Sequence, residues 1–198
     1  YQIYQALILC CFTLMGKVKR ILPIFQTTVA QPMNHLPHVA IRPFIAADSA
    51  QVQILLSDAR VAQAAGNIPY PYPQYGAKNW ITSHGAQHRS GTAIIRAIIC
   101  LEDDQCIGAI SIDQISRGLN ASGNLGYWVG VPYWNKGYCV QAGRLMLDLA
   151  AREYAMARLV AAHRIANAAS GRVLEKLGFS ELEPQRMTNL SGQYLFRC

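Results

Sequence analysis

The stretch TAIIRAIICLEDDQCIGAISIDQI, Thr92 to Ile115, restricts the fold more than any other part of the chain. Two runs rich in β-branched residues flank an acidic turn at Glu102 to Gln105, which is the pattern of an antiparallel hairpin. The domain must therefore be built on a sheet with these two strands side by side. HVAIRPF reads as a short first strand, and NLGYWVGV as a further one with Leu125, Tyr127, Val129 and Val131 at alternate positions. ARLVAAHRI and GQYLFRC supply two more. AADSAQVQILLSDARVAQA predicts one helix, capped by Asp48 or Ser49, with Val52, Leu55 and Leu56 on one face. YGAKNWITSHGAQHRS predicts another, interrupted at Gly85. Ala142, Leu145, Met146, Leu149 and Ala150 form the stripe of an amphipathic helix, and VLEKLGF ends the next one with Gly178 in the left-handed position. The expected class is α/β (α+β), one mixed, mostly antiparallel sheet flanked by helices.

The length of 198 residues suits one domain, and 52% hydrophobic against 15% charged residues excludes a disordered chain. Three of the seven excess positive charges come from Lys17, Lys19 and Arg20, in a segment without acids. No Lys/Arg run interleaved with aromatics is present, so nucleic acid is not an expected partner. ALILCCFTLM is shorter than the ~20 apolar residues of a membrane span, and its basic residues follow it, the reverse of a secretory signal. Residues 1–37 are read as a leader of unknown role, disordered or translated from upstream of Met33, and 38–198 as the domain. The expected protein is cytoplasmic, without stable membrane insertion, and a monomer or homodimer. Cys10, Cys11, Cys100, Cys106, Cys139 and Cys198 form no CxxC pair and no zinc-ligand cluster, so no metal is expected. Cys100 and Cys106 flank the hairpin turn, and two buried thiols are favoured there over a cross-strand disulfide.

VPYWNKGYCVQA, Val131 to Ala142, joins a strand to the start of an amphipathic helix. Unpaired N–H groups and the positive end of the helix dipole converge at such a junction, and Gly137 lets backbone approach an anion without a Cβ in the way. From the residues alone this is a turn with a claim to phosphate.

GYWVGVPYWNKGYCVQAGRLMLDLA followed by NAASGRVLEKLGF resembles the GNAT superfamily of acyl-CoA N-acyltransferases, in its RimJ/RimL-like branch. IRPFIAAD, NIPYPYPQYGAKNWI and CIGAISI fit the same branch in order and spacing, so the resemblance covers about His38 to Cys198. It implies a GNAT-like fold with acetyl-CoA as cosubstrate. The family's pyrophosphate loop falls on Trp134 to Cys139, which implies a diphosphate held by backbone N–H groups near Asn135, Lys136, Gly137, Tyr138 and Cys139. Asn135 stands where the branch commonly has glycine and tolerates a left-handed backbone, whereas Cys139 adds a sulfur to the cradle. Lys136 is either a further charge for the ligand or a solvated lysine.

Amine acetylation needs a neutral amine, a donor to the developing oxyanion and a proton for the leaving thiolate. The resemblance implies that the fourth strand offers a backbone N–H near Val129, Gly130 or Val131 to the thioester carbonyl. It also implies that Asn167 meets the pantetheine arm and that Ser170 stands near the sulfur; both types equally suit a helix cap. Tyr127, Tyr70 and Tyr72 are candidates for the acceptor pocket, the last two also for packing of a Pro-rich loop. Many relatives carry glutamate where this chain has Asn124, and an amide cannot take a proton. Asp113 or His84 acts through water, or the amine arrives neutral, which favours an α-amine of pKa ~8 over a lysine near ~10.4. His84 and His88 are expected to be exposed. The implied function is acetyl transfer to a primary amine of a protein N-terminus or small molecule; the rival is a CoA-binding sensor or scaffold with little catalysis.

Overall fold

A computed structural model describes residues 38–118, 121–164, 166–181 and 193–197. The expected leader 1–37 lies outside the described residues. In chain order the elements are β1 (Val39–Arg42), α1 (Asp48–Leu56), α2 (Ala59–Ala65), α3 (Gly76–Ser90), β2 (Ile94–Cys100) and β3 (Cys106–Ser116). Then follow β4 (Ser122–Val129), a 3-10 turn (Val131–Tyr133), α4 (Tyr138–Tyr154), β5 (Arg158–Arg164), α5 (Ala168–Lys176), β6 (Ser180–Glu181) and β7 (Gln193–Arg197). They build one seven-stranded sheet in the order β1-β2-β3-β4-β5-β7-β6. Every neighbouring pair is antiparallel except β4 and β5.

The hairpin sits at the heart of this sheet. Ile94, Ile98, Ile110 and Ile112 are fully buried against Ala142, Met146 and Ala150 of α4. The opposite face packs Val52, Leu56 and Val61 of α1 and α2 and Ala77 of α3 over Ala97, Ile99 and Cys106. Both faces of the hairpin are thus covered, which is why its strands read as continuous apolar runs. Cys100 and Cys106 are free, buried thiols. Among the described residues no helix is long and apolar enough to cross a membrane.

Five local expectations change. The single helix after β1 is two, because Asp58 turns extended and its carboxylate takes the Arg60 N–H at 2.9 Å, capping α2. Asp48 does not cap α1. It is buried and forked onto Arg42 at 2.8 and 2.9 Å while accepting the Ile45 N–H at 2.9 Å. Desolvation works against its charge, but the Arg42 and Ile45 hydrogen bonds win and hold the carboxyl below its ordinary range. Gly85 does not interrupt α3, which runs to a left-handed Gly91; a mid-helix glycine costs only about 1 kcal/mol. Val131 leaves the strand and opens the 3-10 turn. Leu145 is partly exposed, while Gly143 faces the interior, its missing Cβ filled by Leu177.

Candidate active site

The β4–β5 ladder is short. Ser122 to Leu125 pair with Arg158 to Ala161, and beyond that the strands part although both continue. Gly130 donates its N–H to the Ile107 carbonyl at 2.9 Å, closing the other edge of β4. Backbone groups alternate sides along a strand, so the N–H of Val129 turns towards β5, where no ladder partner remains. The Val129 carbonyl on that side is capped by the Trp134 indole N–H at 2.8 Å.

Into this gap opens a cavity of about 670 Å³. Its walls are the ends of β4 and β5, the first turn of α4, the length of α5 and residues of α2. That volume lies within the range of sites for drug- and cofactor-sized ligands, ~300–1,000 Å³. Val129, Tyr127, Asn135, Gly137, Tyr138, Cys139, Asn167 and Ser170 all line it.

The loop before α4 owes its shape to two left-handed residues, Asn135 at φ 60° and Gly137 at φ 78°. Gly137 is the N-cap, and the first N–H groups to reach its carbonyl are those of Val140 and Gln141. The N–H groups of Tyr138 and Cys139 head the helix without intrahelical acceptors. A Cβ on Gly137 would meet nothing within 4 Å, so the space before these donors is open. The Tyr138 ring is buried in the core, leaving its backbone as the part that faces a ligand. The Cys139 thiol is desolvated, which pushes it up to about 12 and keeps it protonated.

On the opposite wall Asn167 caps α5, accepting the Ser170 N–H at 3.1 Å and donating to the Ala64 carbonyl of α2 at 3.0 Å. Its amide retains one hydrogen and one lone pair for a ligand. The Tyr127 hydroxyl stands 2.9 Å from Ser170 Oγ and 3.0 Å from the Ser170 carbonyl. Burial pushes the phenol well above its ordinary range, so it remains a neutral donor.

Other expected site residues lie elsewhere. Gly130 spends its N–H on Ile107, and its missing Cβ is replaced by Leu55, 2.4 Å from that position. Val131 packs with the α1–α3 cluster, and Lys136 leans over the Tyr133 ring at 5.8 Å. Asn124 is exposed and donates its amide to Gln114 Oε1 at 2.7 Å. Tyr70 is 62% exposed, and Tyr72 packs beneath Gly76 in a loop tied down by Gln53. His84 is not exposed. Its ring lies edge-on to Trp80 and Phe44, centroids at 4.5 and 5.2 Å, with both nitrogens out of water and unbonded. Desolvation lowers it to about 4. Asp113, raised by burial despite a hydrogen bond from Ser111, is also apart from the cavity.

The Acetyltransferase (GNAT) domain family matches residues 38–180. The chain belongs to the GNAT acetyltransferase family. A probable N-acetyltransferase of Bacillus subtilis (strain 168), YjcK, is 32% identical over 108 residues, 54% of this chain and 60% of that relative's length. Mycobacterium smegmatis RimJ in complex with CoA-disulfide superposes with a TM-score of 0.71 at 22% identity, covering 81% of each chain. The ribosomal-protein-S5-alanine acetyltransferase from Vibrio fischeri gives 0.70 at 20% identity, covering 83% of this chain and 94% of its own. These likenesses confirm the GNAT fold.

Within this GNAT domain several cavity residues escaped the sequence reading. Trp128, His163, Arg164, Arg60, Arg172 and Lys176 all line it. Arg60 and the carbonyl that Asn167 bonds come from α2, about a hundred residues away in sequence, and no local pattern announces such a pairing. Arg172 and Lys176 were visible only as an i, i+4 pair on one helix face.

Proposed function

We propose that this GNAT protein is an acetyl-CoA-dependent N-acetyltransferase that acts by direct attack of an α-amine. One observation carries the reading: a single cavity joins the unpaired Val129 N–H, the Tyr127–Ser170 hydroxyl pair and the open first turn of α4. Acetyl-CoA, when bound, supplies an acyl group activated as a thioester. The N–H groups of Tyr138 and Cys139, beside Asn135 and Gly137, hold the diphosphate at the positive end of the helix dipole. The N–H of Val129 donates to the carbonyl oxygen as negative charge develops there. Ser170 gives its proton to the leaving sulfur and is reprotonated by the proton that the amine nitrogen loses as the amide forms, while Tyr127, held neutral by burial, positions that hydroxyl.

No carboxylate lines the cavity among the described residues. An acceptor that arrives neutral needs none, and an α-amine of pKa ~8 meets that condition near neutrality far better than a lysine at ~10.4. The acceptor is therefore a protein N-terminus or a small molecule with an α-amine.

Thiol release from acetyl-CoA over a panel of α-amines, lysine side chains and N-terminal peptides tests the proposal. Turnover on α-amines, flattening above about pH 8 and reduced in Ser170→Ala, is the expected result. A rate still rising through the lysine range overturns the α-amine assignment. Saturable CoA binding with no turnover on any acceptor would instead make the protein a CoA-binding sensor.

A further inference from the structure

The reading of the cavity as an acetyl-CoA site leaves the cationic side of α5 without a task. Arg60, Arg164, Arg172 and Lys176 line the cavity, and no acid offsets them along its walls. Two of these cations are already committed. Arg60 is forked onto Asp58 at 2.7 and 3.0 Å, and Arg164 donates to the Gln63 carbonyl at 3.1 Å. Arg172 and Lys176 are different. They are exposed, one helical turn apart on α5, and among the described residues neither makes a hydrogen bond or ion pair. They line the same cavity as Gly137 to Val140, the start of α4.

A diphosphate seated on the first turn of α4 is met by backbone donors and the helix dipole, so it does not call for two further free cations. A phosphate monoester does, because it carries about −1.5 to −2 charge at pH 7 and accepts several charge-assisted hydrogen bonds. Side chains at i and i+4 are ~5–6 Å apart at Cβ, close enough for both to reach one phosphate. The α2 side, with its committed arginines, is left for the acceptor. We propose, resting on the acetyl-CoA reading above, that Arg172 and Lys176 bind the ribose 3′-phosphate of CoA and make the enzyme select CoA over dephospho-CoA.

Titration calorimetry with CoA and dephospho-CoA on the full chain tests this, because the two ligands share the diphosphate and differ only in the 3′-phosphate. The unmodified protein is expected to bind CoA at least about tenfold more tightly. The Arg172→Gln/Lys176→Gln double variant loses that preference by weakening CoA alone, with an unchanged unfolding midpoint because both side chains are exposed. Glu175→Gln, on the same helix but outside the cavity lining, keeps the preference. Equal affinities in the unmodified protein overturn the inference, as does a double variant that weakens both ligands alike. Failure of the unmodified protein to bind either ligand overturns the acetyl-CoA reading together with it.

Discussion

β4 takes part in two ladders that end differently. Against β3 it pairs from Ser122 to Val129, with one bulge between Asp113 and Ser116, and the Gly130 N–H extends the closure to Ile107. Against β5 it pairs only as far as Leu125. The closed edge is packed to the limit: a Cβ on Gly108 would stand 2.2 Å from the Trp128 carbonyl oxygen. The open edge holds the cavity, an unpaired N–H and the hydroxyl pair. On the function proposed above, one strand divides stability and chemistry between its two edges, and substitutions should separate them.

The largest effect is expected on the closed edge. Gly108→Val forces a side chain against backbone that cannot give and should cost about 3 kcal/mol, read by chemical denaturation, with little change in kcat per folded molecule. His84, behind β4 in the aromatic cluster, should show in the pH dependence of stability. Its folded value of about 4 lies below the unfolded ~6.5, so its contribution is complete above pH 6.5 and is lost as pH falls towards 4. The loss amounts to about 3 kcal/mol at most, and His84→Leu should flatten that part of the curve.

On the open edge the order of consequences reverses. Gly137→Val, at φ 78° with open space beyond, should cost only the backbone strain of a left-handed residue, about 1–2 kcal/mol in stability, and weaken CoA binding of the folded molecule about 100-fold, or about 2.7 kcal/mol. Tyr127→Phe removes the partner of Ser170 Oγ and should lower kcat about tenfold, about 1.4 kcal/mol, with KM nearly unchanged. Asn167→Ala removes both a cap and the tie to α2, costing about 1 kcal/mol in stability, and loss of the proposed cofactor contact should add a rise in KM.

The closed edge was legible in the sequence and the open edge only partly. β-branched runs and an acidic turn specify the β2–β3 hairpin because its pairing is local, and Asn135 and Gly137 declare a left-handed loop by residue type. The split of α1 from α2 was hidden because Asp58 reads as an ordinary polar residue until its extended backbone makes it a cap. The fate of Gly130 was hidden as well. Glycine there suggests close ligand approach, but its reason is Leu55, seventy-five positions earlier, packing where a Cβ would be. Gln141 on α4 accepts the His38 N–H at 2.8 Å, a tie between distant segments that only the fold creates.

The most direct test of a divided β4 is a CoA titration followed by backbone amide resonances. Saturating CoA should shift the amide signals of Val129, Tyr138 and Cys139 while those of Ile98 and Ile110, inside the closed hairpin, stay in place. Unmoved signals at Val129, Tyr138 and Cys139 under saturating CoA would contradict the assignment of the open edge as the acetyl-CoA site.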